Sequence, residues 1–370
     1  MGIKGLSKLI TAYAPKAMKE VESKRYIGRM IAIDASVMIY QSLVAIRMNN
    51  QFASVMLTNA EGEVTSHIQG ILSKTIKLME DGIKPVFVFE GKPPEMKQNE
   101  LERRKQLREK AEEELKDAKE AENQEEIEKL SKRTVHMEGG HINDCKELLR
   151  LMGVPVIDAA SEAESQCAEL AKKKKVWAMA SEDMDSLTFG TPVLIRHLTK
   201  SQGAKKDAQS ILEVDLAEVL EAMKLSMDEF IDLCILCGCD YCDGIRGIGQ
   251  VKAYQFIQKY RTIEKVIENL TDKYQVPENW PYQKARELFK NPLVTPAEEI
   301  EVKFGEVDRK GLVEFLVDAK GFNAERVDNY IDRLIKARSK CQQKRMDSFF
   351  TVKSQKRTAN GKEAAKKQKK

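Results

Sequence analysis

Four short apolar runs stand out in the N-terminal half of the chain, and acidic residues follow each of them. The runs cover residues 30–33, 85–89, 154–157 and 176–180, with helical stretches between them. Uninterrupted runs of this length, separated by helices, are typical of parallel strands that are buried on both faces. The pattern therefore predicts an α/β fold built around a parallel sheet.

The acids after these runs are the main chemical signal in the sequence. They are Asp34, Glu90, the pair Glu162 and Glu164, and the pair Asp183 and Asp185, with Asp240 further along the chain. Because ligands of open parallel sheets bind beyond the carboxyl ends of the strands, we expect the acids to gather at one edge. A single acid after a strand is more commonly a helix cap or a loop residue, but that reading does not explain the repeated pairs.

Carboxylates that are crowded at one edge repel one another unless cations neutralise them. Their hard oxygens suit magnesium or manganese better than zinc. Two divalent ions about 3.5–4 Å apart can activate water and stabilise both the attacking and the leaving oxygen at a phosphodiester. The residues alone thus predict a metal-dependent enzyme of phosphoryl transfer.

Composition and charge narrow the class of protein. The chain has 370 residues, 42% of them hydrophobic, which is enough for a core in one large or two smaller domains. No apolar run approaches the roughly 20 residues that span a bilayer, and we expect neither a membrane span nor a secretory signal. Seven cysteines favour a reducing compartment. The net charge is +4, but residues 353–370 hold eight basic residues against Glu363, so the preceding body is slightly acidic.

A long Glu/Lys/Ala-rich tract interrupts the α/β pattern at residues 101–133. Composition alone favours a solvated spacer, which would be about 50 Å long as one continuous helix. Further helices are predicted within 214–260, including 229–236, and the last one over 324–340. The Lys-rich tail beyond Val352 is predicted to be disordered.

Several short motifs occur in a fixed order along the chain. They are Met1-Gly2-Ile3-Lys4-Gly5-Leu6, Ile31-Ala32-Ile33-Asp34-Ala35-Ser36, Gly91-Lys92-Pro93-Pro94, Ser161-Glu162-Ala163-Glu164, Ser181-Glu182-Asp183-Met184-Asp185, and Gly238-Cys239-Asp240-Tyr241 followed by Ile245-Arg246-Gly247-Ile248-Gly249. In this order and spacing the chain resembles flap endonuclease, the structure-specific 5′ nuclease of lagging-strand maturation and long-patch base excision repair. The resemblance runs from residue 1 to about residue 352.

The resemblance implies an α/β fold with a parallel-sheet 5′-nuclease (PIN-like) core, a helical arch, a helix–two-turn–helix DNA-binding region and a disordered C-terminal tail. The implied segments are an N-terminal nuclease region 1–108, the arch or linker 109–135, an internal nuclease region 136–260 with the helix–two-turn–helix, a C-terminal helical part 261–341 of the same core, a sliding-clamp-binding box 342–350 and a basic tail 351–370.

The same resemblance implies two magnesium ions, with manganese as an alternative, held by seven acids. These are Asp34, Glu90, Glu162, Glu164, Asp183, Asp185 and Asp240. The family normally has Asp where this chain has Glu90. The extra methylene moves the carboxylate outward, so we expect local readjustment and an altered metal preference while activity persists.

Lys97 and Arg104 match the two basic residues that the family places at the base of its arch, near the scissile phosphate. They are seven residues apart and so share a helix face, and their charges can stabilise the transition state.

Tyr40 corresponds to an aromatic residue that stacks on a nucleotide. The tract 101–133 becomes the arch through which the single-stranded 5′ flap passes. The implied DNA contacts are Gly2, Tyr40, Arg47, Lys74, Glu162, Gly238, Asp240, Gly247, Gly249 and Lys252.

Residues 244–253 form a glycine-rich turn that opens a helix, so backbone amides can approach a phosphate. In the family this turn belongs to the helix–two-turn–helix that binds the downstream duplex, with a potassium ion on its carbonyls.

The segment 234–242 holds two Cys-x-x-Cys pairs, which could be interpreted as a zinc site. The pairs lie closer together than in a zinc ribbon, so we favour buried packing, with oxidation sensitivity as a further alternative.

The residues Gln343, Met346, Phe349 and Phe350 match a sliding-clamp-binding box. The implied partner is proliferating cell nuclear antigen. The alternative is that this segment is the last packed turn of a helix.

The basic groups at 356–357 and 366–370 resemble a bipartite nuclear signal, with non-specific attraction to DNA as the alternative. We therefore expect a location in the nucleus, both nucleoplasm and nucleolus, with the mitochondrion as an alternative.

The sequence thus predicts a monomeric flap endonuclease that cuts DNA with 5′ flaps, with a 5′–3′ exonuclease activity on nicks or gaps. One rival is another nuclease of the superfamily, such as the mismatch-repair exonuclease or a repair-bubble nuclease, although those chains usually carry longer insertions or C-terminal regions. A second rival is a catalytically weak DNA-binding clamp client, disabled by Glu90.

Overall fold

One mixed sheet of seven strands organises the residues that the computed structural model describes, which are 2–49, 64–199 and 210–341. In chain order the strands are β1 (Met18–Val21), β2 (Met30–Asp34), β3 (Lys84–Phe89), β4 (Val156–Asp158), β5 (Ala178–Ala180), β6 (Val193–Arg196) and β7 (Ile211–Asp215). Their order across the sheet is β1-β7-β6-β5-β2-β3-β4. The four apolar runs of the sequence form β2, β3, β4 and β5.

The five neighbouring strands from β6 to β4 run parallel, which confirms the predicted parallel sheet for the centre of the fold. At the other edge, which lies beyond the four apolar runs, β7 is antiparallel to β6 and β1 is antiparallel to β7. Charged residues interrupt these two strands, among them Lys19, Glu20 and Glu213. Antiparallel strands tolerate such alternation because one face need not be buried, and so no continuous apolar run marked them.

The described ranges also contain fourteen α-helices. They are α1 (Leu6–Tyr13), α2 (Ala35–Asn49), α3 (Ser66–Glu80), α4 (Gln98–Glu120), α5 (Gln124–Arg133), α6 (Gly139–Leu151), α7 (Ala163–Lys172), α8 (Leu216–Met223), α9 (Met227–Cys237), α10 (Gln250–Tyr260), α11 (Ile263–Glu268), α12 (Tyr282–Lys290), α13 (Arg309–Val313) and α14 (Ala324–Cys341). The helices predicted at 229–236 and 324–340 are confirmed as parts of α9 and α14. None of the described helices is both long and apolar enough to span a bilayer.

Side chains of the central strands alternate between two apolar layers. Ile31, Ile33 and Phe87 pack with α2, α3, α6 and α14 on one face. Ala32 and Val86 pack with α7 on the opposite face. A third apolar cluster joins α1 to α8, α9, α10, α11 and α12. Because both faces of the sheet are covered, the carboxyl edge of the parallel strands is where polar side chains collect.

The charged tract 101–133 is helical, but it forms a hairpin of two helices and not one continuous rod. α4 and α5 pack through Ala111, Ala118 and Leu130, which are buried within an otherwise charged tract. The side chain of Asn123 accepts a hydrogen bond (3.3 Å) from the first turn of α5 and so caps its start. The tract is therefore a folded projection with its own small apolar seam.

His67 on α3 makes the stability of this fold depend on pH. Burial lowers the pKa of its fully buried ring from 6.5 to about 4. The groups that face it are Asp144, whose Oδ2 lies 3.1 Å from Nε2, His141 and Lys320. Because the unfolded chain binds the proton more tightly, stability is expected to fall by roughly 2–3 kcal/mol as pH drops from about 6.5 to 4.

The measurement is urea unfolding across that pH range for the native chain and for His67→Gln. For His67→Gln, the free energy of unfolding is expected to lose the decrease that protonation of His67 causes between pH 6.5 and 4. The pH dependence that comes from carboxylates should remain. Equal slopes for the two proteins between pH 4 and 6.5 would contradict the assignment to His67.

Candidate active site

Four adjacent parallel strands end at the same edge of the sheet, and this brings six of the predicted acids together. Asp34 ends β2, Glu90 follows β3, Glu162 and Glu164 lie where α7 begins after β4, and Asp183 and Asp185 follow β5. Asp240 arrives from a distant part of the chain, in the loop after α9. It is linked to the same edge by Lys97, whose ammonium lies 3.9 Å from its Oδ2 and 2.5 Å from Oε1 of Glu162. The guanidinium of Arg104 donates to the same Oδ2 at 2.7 Å.

The chemistry of this edge fits divalent cations. Glu164, Asp183 and Asp185 each offer a carboxylate oxygen, and these oxygens lie within 4.8 Å of one another. One buried oxygen on each of Asp34, Glu164 and Asp185 has no hydrogen-bond partner among the described residues. A buried polar atom without a partner costs about 1–3 kcal/mol, and more when it is charged. Hard cations such as Mg²⁺ would satisfy these oxygens.

Burial and mutual repulsion raise the pKa values of several of these acids. Burial, with a contribution from Glu90, raises the pKa of Asp34 to about 7. Burial and neighbouring carboxylates raise the pKa of Glu164 and of Asp185 well above the usual range. Raised pKa values of this kind are typical of functional sites, and a bound cation would restore the charged forms.

Gly2 lies directly against two of these acids. Its φ is +73°, a conformation that other residues rarely adopt, and an added Cβ would lie 3.1 Å from Cγ of Asp185 and 3.3 Å from Oδ1 of Asp183. The predicted DNA contact at Gly2 is thus placed at the acidic edge, where a larger residue would push the carboxylates.

Glu90, which stands where the family normally has Asp, stays at this edge. Its Oε2 accepts a hydrogen bond (2.9 Å) from the backbone of Ala163 at the start of α7. Burial raises its pKa, while Lys97 acts in the opposite direction. The longer side chain is therefore anchored by a helix N-terminus, which stabilises its charge.

Lys97 and Arg104 converge on the acids from the base of the α4–α5 hairpin. Lys97 ends a short 3₁₀ turn just before α4, and its ammonium lies 2.5 Å from Oε1 of Glu162 and 3.9 Å from Oδ2 of Asp240. Burial opposes its charge, but Glu164 and Glu162 outweigh that effect and raise the pKa of Lys97. Two cations are thus held charged beside the acid cluster.

Other predicted DNA contacts are placed in different environments. Tyr40 on α2 is exposed, as a stacking residue must be. Lys74 on α3 instead points inward, where its ammonium donates to Ser42 Oγ (3.0 Å), and burial lowers its pKa to about 8. The side chain of Arg47 and the clamp residues Gln343, Met346, Phe349 and Phe350 lie outside the described residues, as does the basic tail.

The glycine-rich turn between α9 and α10 presents its backbone to solvent. Ile245 and Ile248 are buried and anchor it, while Gly247 and Gly249 are exposed. Gly247 has a φ of +87°, and its carbonyl accepts a hydrogen bond (3.1 Å) from Lys252. Gly249 precedes α10, and an added Cβ there would meet open space. The free amides at the start of α10 can thus approach a phosphate. Gly238, with a φ of +94°, lies against the backbone of Gly244 at the root of this turn and is not placed on its exposed face.

The cysteine segment packs into the interior. Cys234 and Cys237 are buried on α9, and Cys239 and Cys242 bring their sulfurs to 3.9 Å. Among the described residues, the group with metal-ligand spacing is the acidic one and not this one. The structure therefore favours the packing interpretation over zinc.

Sequence reasoning gave no role to Tyr241, whose hydroxyl donates to Oε2 of Glu162. Its position next to Asp240 was the available signal. The hydrogen bond itself joins residues 79 positions apart, which no local pattern shows.

Two family models match the segments that build this edge. The XPG N-terminal domain matches residues 1–111, and the XPG I-region matches residues 153–240. Together with the acid-lined sheet edge, they define a nuclease of the XPG class.

Relatives narrow the class further. Flap endonuclease 1-A of Sorghum bicolor is 54% identical over 351 residues, which cover 95% of this chain and 90% of the relative. The structure of flap endonuclease-1 from Methanococcus jannaschii is 34% identical, with a TM-score of 0.68, and the match covers 89% of this chain and 98% of that one. The catalytic core of Rad2 in complex with DNA substrate has a TM-score of 0.68 at 22% identity, over 90% and 100% of the two chains, a likeness of fold alone. The chain belongs to the flap endonuclease family.

Proposed function

We propose that this protein cuts 5′ flaps of DNA at the junction between single and double strands and also removes nucleotides 5′ to 3′ at nicks or gaps. One observation carries the proposal: buried carboxylate oxygens without partners lie at one sheet edge, beside two cations at the base of a helical hairpin. The family relationship supports roles in Okazaki fragment maturation and long-patch base excision repair.

The seven acids, from Asp34 to Asp240, would hold two magnesium ions, with manganese as an alternative. Bound there, the ions would activate water and stabilise the attacking and leaving oxygens of the phosphodiester. Lys97 and Arg104 would stabilise negative charge on the phosphate from the hairpin side. Tyr40 would stack on a nucleotide.

Specificity in this proposal comes from DNA shape and bending and not from reading bases. The turn before α10 would bind phosphates of the downstream duplex, with a potassium ion on its carbonyls. The α4–α5 hairpin would receive the single-stranded flap.

The deciding assay uses a labelled 5′-flap DNA with purified protein and magnesium. The native chain is expected to release the flap, whereas Asp183→Ala is expected to bind the same DNA without releasing it. Binding by the native chain without magnesium-dependent cleavage would overturn the proposal and favour a non-catalytic DNA-binding protein.

We also propose that the monomeric protein works in the nucleus with a ring-shaped sliding clamp of the proliferating cell nuclear antigen type. The box 343–350 supports this, because paired aromatics flanked by polar residues suit a hydrophobic pocket on a partner.

Replacing Phe349 and Phe350 by Ala is expected to remove stimulation of cleavage by the clamp. Basal cleavage should stay within about twofold, because the box contains none of the seven acids of the site and neither Lys97 nor Arg104. Flap assays with and without clamp measure both effects, and undiminished stimulation of the variant would refute the assignment of the box.

A further inference from the structure

Tyr241 and Lys97 hold the two oxygens of the same carboxylate. The hydroxyl of Tyr241 donates to Oε2 of Glu162, and the ammonium of Lys97 lies 2.5 Å from Oε1. All three side chains are buried, so water does not compete strongly for these contacts. The result is a continuous chain of hydrogen bonds from Tyr241 through Glu162 to Lys97.

The ring of Tyr241 is fixed from the side of the C-terminal helices. Its centroid lies 4.9 Å from that of Phe289 on α12, and Phe289 lies 5.2 Å from Phe189. Aromatic pairs in tilted contact at this distance contribute about 0.5–1.5 kcal/mol beyond simple burial. The hydroxyl therefore has a defined position relative to the sheet edge.

Glu162 needs such a contact because its own side chain does not define the orientation of the carboxylate. The last torsion of Glu has broad preferences, so the carboxylate plane is set by its partners. If Tyr241 lost its hydroxyl, Lys97 would be the remaining hydrogen-bond partner of the carboxylate among the described residues, and the two groups could rotate together. The ammonium would then lose its fixed place between Glu162 and Asp240, which lies 3.9 Å away.

We propose that Tyr241 is a positioning residue that holds Lys97 through Glu162 for the cleavage reaction. The inference rests on the proposed function, since Lys97 matters only if phosphodiester chemistry takes place at this edge. It links the C-terminal helices, which carry no acid of the site, to the base of the α4–α5 hairpin.

The test variant is Tyr241→Phe, which keeps the ring packing and removes the hydroxyl. We expect kcat for flap cleavage to fall about 10–100-fold, as is common when a supporting hydrogen bond to a functional side chain is removed. KM in magnesium, and flap-DNA binding measured separately with calcium in place of magnesium, are expected to change less than about twofold, because the ground-state contacts remain. In the Lys97→Ala background the same change is expected to cost less than about twofold, because residues that act through one another are not additive.

A matched control exists elsewhere in the chain. Tyr26 also donates from a buried ring to a carboxylate, that of Glu213, which in turn pairs with Arg25 at 3.0 Å. Tyr26→Phe therefore removes the same kind of hydrogen bond away from the acidic edge. It is expected to lower the melting temperature without changing kcat.

Phe289→Leu supplies a second variant, which keeps the hydroxyl but loosens the ring. It is expected to lower kcat in the same direction by a smaller factor. An unchanged kcat for Tyr241→Phe, or an undiminished loss in the Lys97→Ala background, would overturn the inference while native cleavage persists. Absence of cleavage by the native chain would instead remove the proposed function itself.

Discussion

Asp185→Asn is expected to abolish flap cleavage and yet to stabilise the fold when no divalent metal is present. Cleavage should fall roughly 10³-fold or more, because in the proposed function Asp185 helps to hold the metal ions, and its loss would remove several kcal/mol of transition-state stabilisation. Stability at pH 7 should rise, since burial and Asp183 raise the pKa of Asp185 and make its charged form unfavourable in the folded state. Flap assays and urea unfolding in a chelator measure the two effects.

The sign of the stability effect follows from linkage. A carboxyl group whose pKa is raised by folding destabilises the native state at neutral pH, and this penalty disappears below the unfolded value of about 3.8. The gain in Asp185→Asn is therefore expected to vanish in acid. Retained cleavage, or a loss of stability at pH 7, would contradict the metal-holding role.

Asp232→Asn is the control, because Asp232 is also buried but is well provided with donors. Its carboxylate accepts hydrogen bonds from Arg286 at 2.7 and 2.8 Å and from the backbone of Ile263 at 3.1 Å. The variant should lose about 1–3 kcal/mol of stability, since Arg286 keeps its pair with Glu264 at 2.8 Å but loses a charged hydrogen-bond partner on its buried side. This loss outweighs the cost of burial that raises the pKa of Asp232. It should leave the chemistry of cleavage unchanged.

Lys97→Ala is expected to lower kcat about 10²–10³-fold, because a fixed, water-excluded cation opposite developing charge contributes mainly to the transition state. DNA binding should weaken little, since most phosphate contacts would lie elsewhere along the duplex. Single-turnover cleavage and a separate binding titration in calcium distinguish the two.

Lys19→Ala provides the comparison for Lys97, because Lys19 also pairs closely with a glutamate, Glu218 at 2.6 Å, but lies on the edge strand β1. That variant should cleave like the native chain. If Lys97→Ala raised KM and left kcat intact, the residue would be a binding contact and not a stabiliser of the transition state.

The sequence by itself determined the central sheet and the acids that it carries. Strands β2 to β5 are continuous apolar runs, and the carboxyl ends of parallel strands lie at the same edge of a sheet. The sequence therefore predicted that Asp34, Glu90, Glu164 and Asp185 lie close together. The clustering of residues that are far apart in sequence thus followed from a local signal and one topological rule.

Only the tertiary structure determined which side chains and strands contact one another around the central sheet. The antiparallel pairing of β1 with β7, the inward direction of Lys74, and the contact of Tyr241 with Glu162 all join segments whose partners no periodicity indicates. The folded chain also determined which carboxylate oxygens have no donor. Hydrophobic period is a property of one segment, whereas pairing, burial and hydrogen bonding depend on what other segments bring to the same place.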